Sequence, residues 1–79
     1  MSTDEISQWI VARIAEALDV PPTEIDVKAT FADHGLDSVS ALQMTGALEQ
    51  ELGRSLSATL VFEYPTIETL ARHLGSGRT

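Results

Sequence analysis

His34, Asp37 and Ser38 place an imidazole, a carboxylate and a hydroxyl within one short stretch of chain. These are the side-chain types of a nucleophilic triad. A triad needs its base and its orienting acid to converge from separate elements. Here all three fall in a loop and the first turn of the helix that follows it, so hydrolytic catalysis is not expected. What Ser38 can do is accept a group. The first turn of a helix gathers unpaired N–H groups and the positive end of the dipole, and a phosphate ester is stabilised there. Position alone favours a plain capping role over a modification site, and both readings stay open at this point. His34 reads as a loop residue and His73 as a cation near a helix end. No His or carboxylate cluster has metal-ligand spacing, so no metal is expected.

The bulk of the sequence narrows the chemistry further. The chain has 79 residues, enough for a single domain, with a core expected over about residues 3–74 and a flexible tail over 75–79. A domain this small buries only about 60% of its unfolded surface. That leaves little room for a deep catalytic cleft and favours a binding or carrier module. The net charge is −7. Such a chain gains nothing from counterion release on nucleic acid and is repelled by an anionic membrane, so neither partner is expected. Its partners should carry basic patches, with steering to speed the encounter; alternatively the charge only maintains solubility. There are no cysteines, which fits a reducing cytoplasm. The start of the chain is acidic (Asp4, Glu5) with no apolar leader segment, and no run reaches transmembrane length.

The elements that must position Ser38 follow from periodicity and end signals. Ser2 and Glu5 have capping-box spacing and open a first helix over about Thr3 to Leu18. Its apolar stripe is Ile6, Trp9, Ile10, Ile14, Ala17 and Leu18, with Arg13 snorkelling inside it. Pro21-Pro22 stops the helix. From Asp19 to Asp37 no period appears, apart from one short turn at Thr23-Glu24-Ile25. A connection this long tends to be functional, and its Val20, Ile25, Val27, Phe31 and Leu36 should pack over a core. A second helix starts at Asp37-Ser38, with Asp37 as N-cap, and ends near Leu52 with Gly53 as the stop. A short third helix covers about Ala58 to Phe62. A fourth runs from Thr66 to just before Gly75, with Ile67, Leu70, Ala71 and Leu74 on one face. Gly75-Ser76-Gly77 reads as a frayed tail. The sum is an all-α fold: a small antiparallel four-helix bundle, three main helices and one short, with a long loop between the first and second.

Two stripes compete on the second helix. Ala41, Met44, Thr45, Leu48 and Leu52 make the better core face. That choice sends Val39 and Leu42 outward beside Ser38, together with Gly46, which costs roughly 0.5–1 kcal/mol against Ala in a helix. Glu49 and Glu51 sit against the negative end of the dipole. Local rules tend to fail at functional surfaces, so this face reads as a docking surface. A tilted core that half-buries Val39 and Leu42 fits equally well.

The run Asp33-His34-Gly35-Leu36-Asp37-Ser38-Val39 resembles the phosphopantetheine attachment motif of acyl carrier proteins, Gly-x-Asp-Ser followed by an aliphatic residue. Leu48-Glu49 and Leu52-Gly53 resemble the end of that family's second helix. Ala58 through Thr66, followed by Leu70-Ala71-Arg72-His73-Leu74, is similar to the C-terminal half of polyketide-synthase carrier domains. The match covers residues 3–74. The resemblance implies a non-catalytic acyl carrier: a phosphopantetheinyl transferase moves the 4'-phosphopantetheine arm from coenzyme A to Ser38, and the arm's thiol holds acyl groups as thioesters. It further implies polyketide or related fatty-acyl biosynthesis, with a ketosynthase, acyltransferase or acyl-adenylating ligase as partner to a monomer. Asp37 beside Ser38 favours an acyl over a peptidyl carrier. Asp37, Val39 and Leu42, with Gln43, Gly46 and Glu49 further along the helix, would face the partners. Where many modular carriers have a Glu and two Arg in mid-helix, this chain has Gln43, Thr45 and Ala47. The alternatives are a peptidyl carrier of a nonribosomal peptide synthetase and an acidic helical interaction module that needs no modification.

Overall fold

A computed structural model describes residues 2–76. The first helix, α1 (Thr3–Leu18), opens on the capping box that its sequence announces. Glu5 N–H donates to Ser2 Oγ at 3.1 Å and Ser2 N–H donates to Glu5 Oε1 at 2.8 Å, so two of the orphan donors at the helix start are satisfied reciprocally. Asp19 ends it in the left-handed conformation (φ 58°), which a short polar side chain tolerates. Ile6, Ile10 and Ile14 are buried as expected, but Ala17 is exposed and Ala15 takes its place in the core. The buried face turns that way because α1 is covered by more than one neighbour. It packs along the fourth helix and also against a single 3-10 turn at Pro22–Glu24. Arg13 lies exposed, its guanidinium carbon 5.7 Å from the Trp9 ring centroid.

The long connection is folded onto the core, as its apolar residues required. Ile25 and Phe31 are buried, and Val20, Val27 and Leu36 pack against the core. Its turns are local: Asp26 Oδ1 accepts the Lys28 N–H at 2.9 Å, and Thr30 and Asp33 exchange side-chain-to-backbone bonds of 3.3 and 2.9 Å. Its anchorage is long-range. Phe31 N–H donates to Pro65 O and Glu68 N–H to Val27 O, each at 2.9 Å, with an isolated antiparallel bridge between Thr30 and Thr66. The segment before Ser38 is thereby stitched to the start of the last helix.

The second helix, α2 (Ser38–Leu52), buries Ala41, Met44, Thr45 and Leu48 and half-buries Leu52. Thr45, the one polar member, satisfies its hydroxyl on Ala41 O at 3.0 Å. Gly53 ends the helix at φ 69°, where a side chain would be strained.

The short helix α3 (Leu60–Glu63) begins two residues later than its sequence suggested. Ser57 Oγ accepts the Thr59 N–H at 3.2 Å, and Thr59 Oγ1 donates to Glu63 Oε2 at 2.6 Å. These side-chain bonds hold Ala58 and Thr59 in a turn that competes with helix.

The last helix, α4 (Ile67–Ser76), starts one residue later than expected, with the Thr66 hydroxyl accepting the Thr69 N–H at 3.1 Å from outside. Ile67, Leu70, Ala71 and Leu74 are buried. The expectation of a tail from residue 75 is corrected: the helix continues through Gly75 to Ser76, while residues 77–79 lie outside the described part. Gly75 stays helical because it packs on α1. A Cβ there would stand 2.6 Å from Thr3 Cα, so only glycine permits this approach. Across the other flank, the Tyr64 and His73 rings stack with centroids 4.3 Å apart. Arg54 Nη2 donates to Leu74 O at 3.2 Å. The result is the expected bundle of three main helices and a short one, with the long loop between α1 and α2.

Candidate functional site

Ser38 is the first residue of α2 and is exposed. The residue before it sets the helix start: Asp37 Oδ1 accepts the Ser40 N–H at 2.8 Å. That backbone N–H, then the Ser40 side chain, with lesser help from the backbone N–H groups of Asp37 and Val39, holds the Asp37 carboxyl below the usual carboxylate range. The cap is therefore ionised at neutral pH and spent on the backbone. It orders the turn that presents Ser38.

His34, which a triad would require, is committed elsewhere. Its Nε2 pairs with Asp26 O at 2.9 Å, tying the end of the long loop to its middle. Among the described residues no group of His and acidic side chains could hold a metal ion.

Around Ser38 the surface is unusually apolar for so charged a chain. Val39 is 62% exposed, Leu42 42% and Phe62 59%, and these are the exposed large hydrophobics among the described residues. Choosing Ala41, Met44 and Leu48 as the core of α2 forces Val39 and Leu42 outward, so the competition between stripes is resolved in favour of an open face. Gln43 is exposed on the same face, and Gly46, half-buried, lies one turn further, with open space where a Cβ would be. Glu49, half-buried, follows one turn after Gly46. Its carboxylate accepts the Leu56 N–H at 2.8 Å, closing the link to α3.

Phe62 escaped the sequence reading. A four-residue helix is too short to show a period, so nothing selected between its two faces. The structure buries Leu60 and Val61, and Phe62, the next residue round the turn, stands out over a cleft of about 470 Å³ with Ser38 on its rim. Leu36, Phe31, Ala41 and Pro65 supply the rest of its apolar wall. The arrangement is an accessible primary alcohol at the positive tip of a helix, beside an apolar recess, suited to being esterified by another protein and then to holding what is attached.

Comparison with known proteins agrees with this geometry. Residues 8–74 match the family described as "Phosphopantetheine attachment site". The chain is 40% identical over 70 residues to a phenolphthiocerol/phthiocerol polyketide synthase of Mycobacterium tuberculosis; the match covers 89% of this chain and 4% of that protein. The chain thus spans a small fraction of the length of such curated relatives. Among solved structures, it resembles an acyl carrier protein from Anabaena sp. PCC 7120 with a variant phosphopantetheinylation-site sequence (TM-score 0.92, 39% identity, covering 100% of this chain and 90% of that one). It also resembles a free-standing peptidyl carrier protein from an uncharacterized Acinetobacter baumannii secondary metabolic pathway (TM-score 0.89, 36% identity, covering 99% and 98%).

Proposed function

The chain belongs to the phosphopantetheine-attachment family of carrier domains, and from that premise we propose that Ser38 bears the arm and that its cargo is acyl, of the polyketide type. Members of this family carry 4'-phosphopantetheine covalently and are not themselves catalysts. The bound group supplies a thiol on a long tether, to which acyl groups attach as thioesters; this chain has no cysteine of its own. The observation that carries the assignment is the exposed Ser38 hydroxyl at the tip of α2, inside the matched span and directly after a capping carboxylate. A phosphate ester suits that place because the helix N-terminus stabilises an anion. Tethering then raises the effective concentration of cargo at each partner.

An acyl cargo is favoured over a peptidyl one by Asp37 beside Ser38 and by the polyketide synthases among the relatives. The likeness to a peptidyl carrier supports the second reading. Phosphopantetheinyl transferase would read Asp37, Ser38, Val39 and Leu42, and a ketosynthase, acyltransferase or acyl-adenylating ligase would follow on the same face. We take the domain as a cytoplasmic monomer. The net charge of −7 suits partners with basic docking patches.

The test is direct. Apo protein incubated with coenzyme A and a broad-specificity phosphopantetheinyl transferase gains one phosphopantetheinyl mass, and Ser38→Ala gains none. An adduct that survives in Ser38→Ala, or none in the native protein, overturns the assignment. The mass of the cargo on protein recovered from a producing cell separates acyl from aminoacyl loading.

A further inference from the structure

Among the described residues two glycines lie inside helices, Gly46 in α2 and Gly75 in α4. Gly75 makes room for the Thr3 backbone. Gly46 makes room for nothing in the described chain: a Cβ there would meet no side chain and no other segment within 4 Å. Nor does its backbone require glycine, since the glycines with positive φ are Gly35 and Gly53. Glycine in a helix interior is destabilising against alanine, so α2 bears a cost that neither conformation nor packing explains. Such costs collect at surfaces that serve function. The same helix has a second peculiarity. From Ser38 to Leu48 eleven consecutive residues carry no charge, in a chain of net charge −7. The carboxylates that bracket this run face backbone N–H groups, Asp37 that of Ser40 and Glu49 that of Leu56. Val39, Leu42 and Gly46 recur at i, i+3 and i+7, with Gln43 beside them, so they share one side of α2. Val39, Leu42 and Gln43 are exposed there.

Resting on the assignment of the arm to Ser38, we propose that partner enzymes seat an apolar, uncharged surface on this side of α2 and come closest at Gly46, where their main chain or a small side chain packs on the bare helix backbone. Gly46 lies about 12 Å along the helix from Ser38, so a partner anchored there holds its own active site over the tip of α2. A contact without charge has a physical reason. Burying an ion pair sets desolvation against attraction, whereas burying Val39 and Leu42 is favourable outright. Gln43 supplies the polar bond that fixes the register, and it needs a donor or acceptor opposite its amide. A side chain at position 46 would hold the partner off and open a gap beside Leu42, forfeiting close contact along the seat. The acidic surface elsewhere acts before contact: it draws in a partner with cations at its rim, and the seated complex does without it. Gly46 is thus a specificity determinant, admitting partners whose surface is close-fitting and neutral. The salt dependence of binding belongs to the encounter alone.

The experiment pairs the intact protein with the broad-specificity transferase and follows loading by intact mass. Gly46→Ala should melt above the native protein, because the fold has room for the methyl group and gains helix propensity. Its KM for loading should nevertheless rise severalfold with kcat kept, which marks lost binding that is uniform along the reaction. Gly46→Gln, a longer side chain that helices accept, should raise KM further. With coenzyme A absent, dissociation of the complex should hold within about twofold between about 0.01 and about 1 M salt, as the Debye length shrinks from about 30 to about 3 Å. Association over the same range should slow by about tenfold or more. A Gly46→Ala protein that loads with the native KM overturns the seat, and so does one that melts lower, which returns the glycine to the fold. Dissociation that quickens with salt puts ion pairs in the contact and overturns it as well. A native dimer that Gly46→Gln disperses assigns the face to a second copy, with the same consequence. If the native protein takes no arm, the Ser38 assignment fails and the seat falls with it; if it takes the arm at a KM indifferent to residue 46, the seat alone fails.

Discussion

The carboxylate of Glu49 accepts the backbone N–H of Leu56 at 2.8 Å, so the last turn of α2 holds the chain that leads into α3. A residue that reads on sequence as a misplaced surface charge is a structural brace. Glu49→Ala should therefore lower stability by about 1 kcal/mol, because the half-buried Leu56 N–H loses its acceptor. Glu49→Gln, which keeps an oxygen in place, should retain most of it. Thermal unfolding of the two variants decides, and melting temperatures equal to the native protein's would remove the brace.

Leu42 and Leu48 separate surface from core on the same helix. Leu48 is 1% exposed and Leu42 42%. Leu48→Ala should cost about 2–5 kcal/mol, a large part of the roughly 5–15 kcal/mol that holds a domain folded. Leu42→Asp should leave the melting transition within about 0.5 kcal/mol and slow arm transfer or partner turnover. Denaturant unfolding alongside transferase kinetics reads both. If Leu42→Asp unfolds the domain, the outer face has been misassigned.

Acid should unfold the protein partly through its two helix caps. The Ser2 backbone N–H holds Glu5, and the Ser40 backbone N–H holds Asp37, below their ordinary values. A carboxylate whose folded value is depressed contributes its stabilisation in full above its unfolded value. The contribution fades as pH falls through the folded one. Stability should thus be flat near neutrality and decline below the usual carboxylate range. Asp37→Asn keeps a capping side chain but removes the charge, and should flatten that decline. Urea midpoints between neutral and strongly acidic pH check this, and an unchanged acid slope in Asp37→Asn would remove the cap from the account.

Gly75 packs against the start of α1. A Cβ there would meet the Thr3 backbone, with Cα at 2.6 Å and N at 2.7 Å. Gly75→Ala should destabilise by about 1–3 kcal/mol through overpacking. Truncating the partner in Thr3→Ala should not rescue it, since the obstacle is main chain. A double-mutant cycle by thermal unfolding tests both statements.

Much of this molecule is written in short-range code. Ser2 and Glu5, Asp37, and Gly53 mark helix ends because each acts on backbone groups within a turn of itself. Ile6, Ile10 and Ile14 mark a buried face because helical geometry repeats over that distance. Ser38 at the tip of a helix, with Val39 and Leu42 beside it, was visible for the same reason. The rest depends on residues far apart in the chain. Ala15 displaced Ala17 because neighbouring segments fold over α1. Gly75 stayed helical because Thr3 lies against it. Glu49 found Leu56 only once the chain had turned. The cleft beside Ser38 needs Phe31, Ala41 and Phe62 brought together from a loop and two helices, and no window of sequence contains all three. Local hydrogen bonding and periodicity are properties of neighbours in the chain; recesses and braces are properties of neighbours in space, and come into being when the helices pack.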